Sequence, residues 1–166
     1  MLPRDWDDED EAPQAHEARR EARALQELRV LYRQADAAYA PFSCPASGEC
    51  CQLAQTQRQP WLWYPEWRLL TRHHPLPPAR ADGGCPYLDA TGKRCSVYAD
   101  RPFGCRTFFC ERIQGPARQP AEAVDRLLRR LERVSQAVRP GLTGPRPLME
   151  WHATALVASQ QESTEP

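Results

Sequence analysis

The sequence predicts a mainly α-helical fold in which two long helices bracket a small, irregular, cysteine-rich centre with a short β-hairpin. Three observations predict it. Apolar residues recur at helical spacing near both ends of the chain, 17 prolines and 8 glycines fragment the middle, and all 7 cysteines lie in that middle. Taken in order, Asp5 to Glu11 hold six acids in seven positions, so residues 1–13 read as a disordered acidic tail. From Pro13 to Tyr39, Ala18, Ala22, Leu25, Leu28, Tyr32, Ala35 and Tyr39 recur at three- and four-residue steps. Arg19, Arg20, Arg23, Glu27 and Arg33 face away, and Pro41 ends this first helix. Pro65 suits the first position of a short helix carrying Trp67, Leu69 and Leu70 and closed before Pro75. Leu76 to Gly84 is a connector. The segments beginning at Cys85 and Arg94 flank a turn at Gly92 and predict the hairpin. Asp100 is the expected N-cap of a short helix opened at Pro102. The second long helix spans about Pro120 to Val138. Its stripe is Val124, Leu127, Leu128, Leu131, Val134 and Val138, opposite Arg126, Arg129, Arg130 and Arg133. A last helix begins near Pro147 with Leu148, Trp151, Ala155 and Leu156 inward. The expected organisation is one domain over residues 14–158 with a flexible tail at 159–166.

Composition excludes some roles. The 166-residue chain has a formal net charge of zero, which supplies no whole-molecule attraction to nucleic acid or acidic membranes. The arginines of the second long helix read as a solvated face, since no aromatic interleaving accompanies them. No stretch approaches the roughly 20 apolar residues of a membrane span, and the acidic N-terminus does not read as a secretory signal. The expectation is a cytoplasmic protein that binds neither nucleic acid nor membrane, with a protein partner left open.

In that compartment disulfides seldom persist, so the cysteines need another explanation. Cys44, Cys50, Cys51, Cys85, Cys95, Cys105 and Cys110 are an odd number, which also argues against a complete disulfide set. Thiolates are soft anionic ligands, and four of them close a zinc site or hold an iron–sulfur cluster. A metal would also supply folding free energy to a middle with weak periodicity, where ordering each residue costs roughly 1–2 kcal/mol of backbone entropy. Buried free thiols and redox-active thiols are the competing readings. Spacing does not choose among them, because the chain has no CxxC pair. In an extended segment the adjacent Cys50 and Cys51 point to opposite sides, so both reach one ion only at a tight turn, which Gly48 makes accessible.

The stretch Phe42-Ser-Cys44-Pro-Ala-Ser47-Gly48-Glu-Cys50-Cys51 resembles the opening motif, Cys-x-x-Cys-Gly-x-Cys-Cys, of the YkgJ-type cysteine-cluster family of zinc- or iron-chelating proteins. The second half is similar too. Cys85-Pro-Tyr-Leu-Asp, Cys95-Ser-Val-Tyr98 and Arg101-Pro102 through Cys105-Arg106-Thr-Phe stand where the family has CPFLD, C-x-I-Y and R-P-x-x-C-R-x-F. The similarity covers roughly residues 42–110 and implies metal chelation, with zinc, iron or an iron–sulfur cluster as the cofactor. It assigns Cys44, Cys50, Cys51, Cys85, Cys95 and Cys105 as metal ligands, in a metal-centred domain. The family's second cysteine falls on Ser47 here, and Cys110, five residues past Cys105, is the expected substitute.

A four-thiolate zinc site carries two negative charges. Arg94, Arg101 and Arg106, beside cysteines, are placed to offset them. His73, His74 and His152 read as surface or core histidines rather than ligands. Trp61, Trp63 and Trp67 read as a cover over the cysteine core, and Tyr87 and Tyr98 as packing residues. Glu66, Asp82 and Asp89 suit turns and caps better than catalysis. The leading function is a structural or accessory metal-binding module. The alternatives are a metal-dependent or iron–sulfur enzyme, for which no phosphate loop, HExxH or Ser/His/Asp signature speaks, and a thiol redox sensor, suggested by Cys50-Cys51.

Overall fold

In a computed structural model, residues 13–142 and 144–162 are described, so the acidic residues 1–12 and the last residues of the expected C-terminal tail lie outside them. The helices are α1 (Pro13–Tyr39), α2 (Leu53–Thr56), α3 (Tyr64–His73), α4 (Phe103–Arg106), α5 (Ala121–Val138) and α6 (Leu148–Glu162). Two strands, β1 (Trp61–Leu62) and β2 (Arg146–Pro147), and two 3₁₀ turns, Glu49–Cys51 and Tyr98–Asp100, complete the order. The fold is mainly helical with one short antiparallel pair. No helix among the described residues is long and apolar enough to cross a membrane.

The helical periodicity of α1 and α5 is what joins them. Leu25, Leu28, Leu31, Tyr32 and Ala35 of α1 meet Leu127 and Leu131 of α5, with Trp63, Leu69 and Phe103 closing the same core. Each fully buried leucine there contributes about 1.5–3 kcal/mol of transfer free energy. The stripes differ in detail from the expected ones. Ala18 and Ala22 are exposed, whereas Ala24 and Leu31 are buried. Leu128 is 41 % exposed because α1 covers only one side of α5. Arg126, Arg129 and Arg133 face solvent, while Arg130 reaches α1, where its Nε donates to Glu27 at 2.5 Å and Nη1 to Gln34 at 3.2 Å.

A second core lies under the broken middle of the chain. Leu53, Leu62, Trp67, Leu70, Cys85, Tyr87, Leu88, Val97 and Leu148 form it, with Trp151 of α6 stacked on Trp67 at 5.9 Å. Helix α3 carries Pro65 in its first turn and ends at His73, as the sequence suggested. The turn at Gly92 forms, closed by Gly92 N–H to Asp89 O at 3.0 Å, but its arms share only the isolated bridge Leu88–Cys95. The two-stranded sheet lies elsewhere and pairs distant segments, Trp61 with Pro147 and Leu62 with Arg146.

Two expectations are corrected. The three tryptophans do not form one cover: Trp61 is 52 % exposed, Trp63 packs with α1 and α5, and only Trp67 shares a core with a cysteine. They diverge because Trp61 lies on the strand and Trp63 sits at the N-cap of α3, in the first core, while Trp67 lies within α3, in the second. Asp100 does not cap α4, whose N-cap is Pro102; its carboxylate instead meets His74 Nε2 at 2.8 Å. The helix α6 runs on through Ser159 to Glu162.

A buried carboxylate locks these layers. Glu66 is 1 % exposed. Its Oε1 accepts from the Tyr32 hydroxyl at 3.0 Å and the Phe103 N–H at 2.5 Å, and its Oε2 from the Trp63 N–H at 2.9 Å. One residue therefore ties α1, α3 and α4 together. Burial pushes its carboxyl above the usual range, against the pull of those three donors.

Candidate metal centre

Each cysteine reaches the site by a local device. Cys44 follows Ser43, which exchanges both backbone hydrogen bonds with Gln114 at 2.7 and 3.0 Å, so the segments bearing Cys44 and Cys110 lie side by side. Cys50 and Cys51 sit in the 3₁₀ turn entered through Gly48, whose φ of 75° is left-handed. A Cβ on Gly48 would lie 2.7 Å from the Lys93 carbonyl carbon and oxygen. Gly48 thus allows the Cys50–Cys51 turn to rest against the backbone that leads into Cys95. Cys85 is anchored to the same turn through its N–H, which donates to Cys51 O at 2.7 Å. Cys105 lies in α4, the helix whose first N–H Glu66 holds.

All seven cysteines line one cavity of about 420 Å³. Five of them form an inner group. In that group the ionisation of each thiol depends on its neighbours: Cys50 on Cys51, Cys51 on Cys50, Cys85 and Cys95, Cys95 on Cys50 and Cys105, and Cys105 on Cys50. Crowding makes thiolates unfavourable here. The Cys50 thiol is pushed far up by its hydrogen bond with Cys51 and then by burial. For Cys51 the bond from Cys50 pulls down, but the Cys85 bond, burial and neighbouring sulfurs outweigh it and take the thiol up to about 12. Cys95 and Cys105 are raised chiefly by burial. A cation is the natural counterweight to such a set. The donor chemistry fits zinc or iron, while the arrangement is open: among the described residues no group of three or more His, Cys, Asp or Glu side chains stands ready to hold a metal ion.

The surrounding groups differ from expectation. Arg94 does not line the cavity, whereas Arg101 and Arg106 do. Arg106 is buried, donates to Asp36 at 2.6 Å, to Arg101 O at 2.8 Å and to Ala99 O, and lies 4.0 Å above the Tyr32 ring. Arg101 stacks on Tyr98 at 3.9 Å. The cation nearest the sulfurs is Arg58, whose Nη2 donates to Cys105 Sγ at 3.4 Å and Gly104 O at 3.1 Å, and Nη1 to Cys50 O at 3.3 Å. Sequence reasoning missed it, because Arg58 stands outside the cysteine motifs among glutamines and nothing in its spacing marks it. Ser47 lines the cavity but its hydroxyl donates to Glu49 Oε1 at 3.1 Å.

None of the three histidines named above lines this cavity. His73 and His74 flank Asp100, and buried His152 donates to Pro77 O at 2.8 Å. Asp82 and Asp89 hold turns, Asp82 through Gly84 N–H and Arg80, Asp89 through the N–H groups of Lys93 and Arg94. Tyr87 packs as expected, yet its hydroxyl is buried with no hydrogen-bond partner. An unmade hydrogen bond of that kind costs about 1–3 kcal/mol.

A mainly helical scaffold that turns seven thiols into one cavity defines a cysteine-cluster protein. Residues 43–121 match the CxxCxxCC family model, described as a putative zinc- or iron-chelating domain, over the stretch that carries all seven cysteines. The match supports metal binding at that level. No curated protein and no solved structure matches the chain.

Proposed function

We propose that the protein is a metal-binding module that holds zinc or iron through cysteine thiolates of this cavity. One observation carries the reading: seven thiols from separate segments wall a single cavity, five of them close enough to feel one another's charge. Cys50, Cys51, Cys85, Cys95 and Cys105 are the inner ligand candidates. Cys44 and Cys110 stand on the outer wall, on adjoining segments, and Cys110 takes the place of the cysteine missing at Ser47. Arg58 offsets thiolate charge, as second-layer hydrogen bonds do at metal–sulfur sites. The role is structural or accessory, exercised in the cytoplasm, where thiols stay reduced; the cavity's Arg106 and Arg112 are engaged by Asp36 and Glu49.

The test is anaerobic purification followed by ultraviolet–visible spectroscopy and quantitation of zinc, iron and sulfide. Absorption near 400 nm with sulfide identifies a cluster, and colourless protein with stoichiometric zinc a mononuclear site. Cys85→Ser and Cys105→Ser should empty the site, and Cys110→Ser should lower metal content. A folded wild-type protein that takes up neither metal would overturn the reading.

A further inference from the structure

Tyr87 presents an anomaly that packing does not account for. It is 3 % exposed, and its ring fills the second core between Cys85, Leu88 and Val97. Its backbone is fixed, since Tyr87 O accepts from both the N–H and the hydroxyl of Ser96 at 2.8 Å. The phenolic oxygen nevertheless has no partner, and it is the one buried side-chain nitrogen or oxygen so placed among the described residues. A phenylalanine would fill the same space without burying an unpaired hydroxyl. The hydroxyl therefore serves something other than packing.

Tyr87 lines the cysteine cavity together with Cys85, two positions before it, and the two side chains belong to the same core. A neutral thiol is a weak acceptor, whereas a metal-bound thiolate carries charge and accepts strongly. We infer that Tyr87 is a positioning residue of the metal centre, its O–H donating to the sulfur of metal-bound Cys85 and acquiring there the partner it lacks in the metal-free protein. The inference rests on the reading of the cavity as a metal site. The hydrogen bond withdraws electron density from sulfur, holds the Cys85 rotamer and lets the anionic centre sit in an apolar wall.

The test is Tyr87→Phe, using zinc and cobalt(II) as probes on the reduced, metal-free full chain. Metal-free Y87F should melt at the same temperature as the wild type or higher, because an unpaired hydroxyl is removed. Its zinc dissociation constant, measured by chelator competition, should rise about 10–100-fold. The sulfur-to-cobalt charge-transfer band should move to lower energy, since the thiolate regains donor strength. Equal affinity with an unshifted band would overturn this inference alone. A metal-free Y87F protein less stable than the wild type would overturn it too, because the hydroxyl would then already have a partner. Wild-type protein that takes up neither zinc nor cobalt would overturn both this inference and the metal-site reading beneath it.

Discussion

Replacing Gly48 by alanine separates conformational strain from the close approach that assembles the site. At φ 75° an alanine pays about 1–2 kcal/mol for the left-handed backbone. Its Cβ would also stand 2.7 Å from the Lys93 carbonyl, about 0.7 Å inside ordinary contact, and a backbone neighbour cannot swing away. Overpacking of that kind adds about 1–3 kcal/mol. The total of about 2–5 kcal/mol corresponds to a fall in Tm of roughly 4–20 °C for a domain of this size. Gly92→Ala is the matched control, because its φ is 69° but its Cβ would meet only the tip of the Gln52 side chain at 3.4 Å. It should lose the conformational part alone. Moving the Cys50–Cys51 turn off the Lys93 backbone should also weaken zinc binding at least tenfold in G48A and little in G92A. Thermal unfolding with and without zinc, together with chelator competition, reads both effects. Equal losses in the two variants would refute the argument that close approach, rather than φ, makes Gly48 necessary.

Glu66→Gln keeps the shape but replaces one acceptor oxygen by an NH₂ group, leaving a buried donor among Tyr32, Trp63 and Phe103 unpaired; a loss of about 2–4 kcal/mol in denaturant unfolding is expected, and an unchanged midpoint would contradict the network. Because the Cys51 thiol lies up at about 12, it is protonated in the metal-free protein at neutral pH. Zinc uptake in weak buffer should therefore acidify the solution, and affinity should fall as pH is lowered; an indicator dye showing no proton release would exclude thiol ligation. The Arg80 guanidinium, then the Gly84 N–H, hold exposed Asp82 down to about 2. A depressed carboxylate contributes stability above its ordinary value of 3.8 that is lost as pH falls through about 2, so wild-type Tm should drop toward that of Asp82→Asn across this window, and parallel curves would refute it.

The long helices were legible because helix packing repeats a local period. Leu25, Leu28 and Tyr32, and Leu127 and Leu131, are named by spacing alone and are buried as that spacing requires. The exceptions are instructive. Leu128 has the right spacing, but how much of a stripe is covered depends on the width of the partner helix. The three tryptophans are close in sequence and part company in space, since α3 begins between them and its two sides belong to different cores. The cysteines were legible as a class, and Gly48 as the left-handed turn that leads into Cys50 and Cys51.

What the sequence determined by itself was the inventory: two amphipathic helices, a proline-broken middle, seven soft donors and the glycine turn that aims two of them. These follow from residue type and spacing over a few positions. The tertiary structure alone decided that the donors share one cavity, that Arg58 meets Cys105 across 47 positions, and that Glu66 ties three helices while the Tyr87 hydroxyl is left unpaired. The physical reason is that such contacts form between segments brought together by burial of apolar surface, and no short-range pattern encodes which distant polar atom the packing will bring alongside.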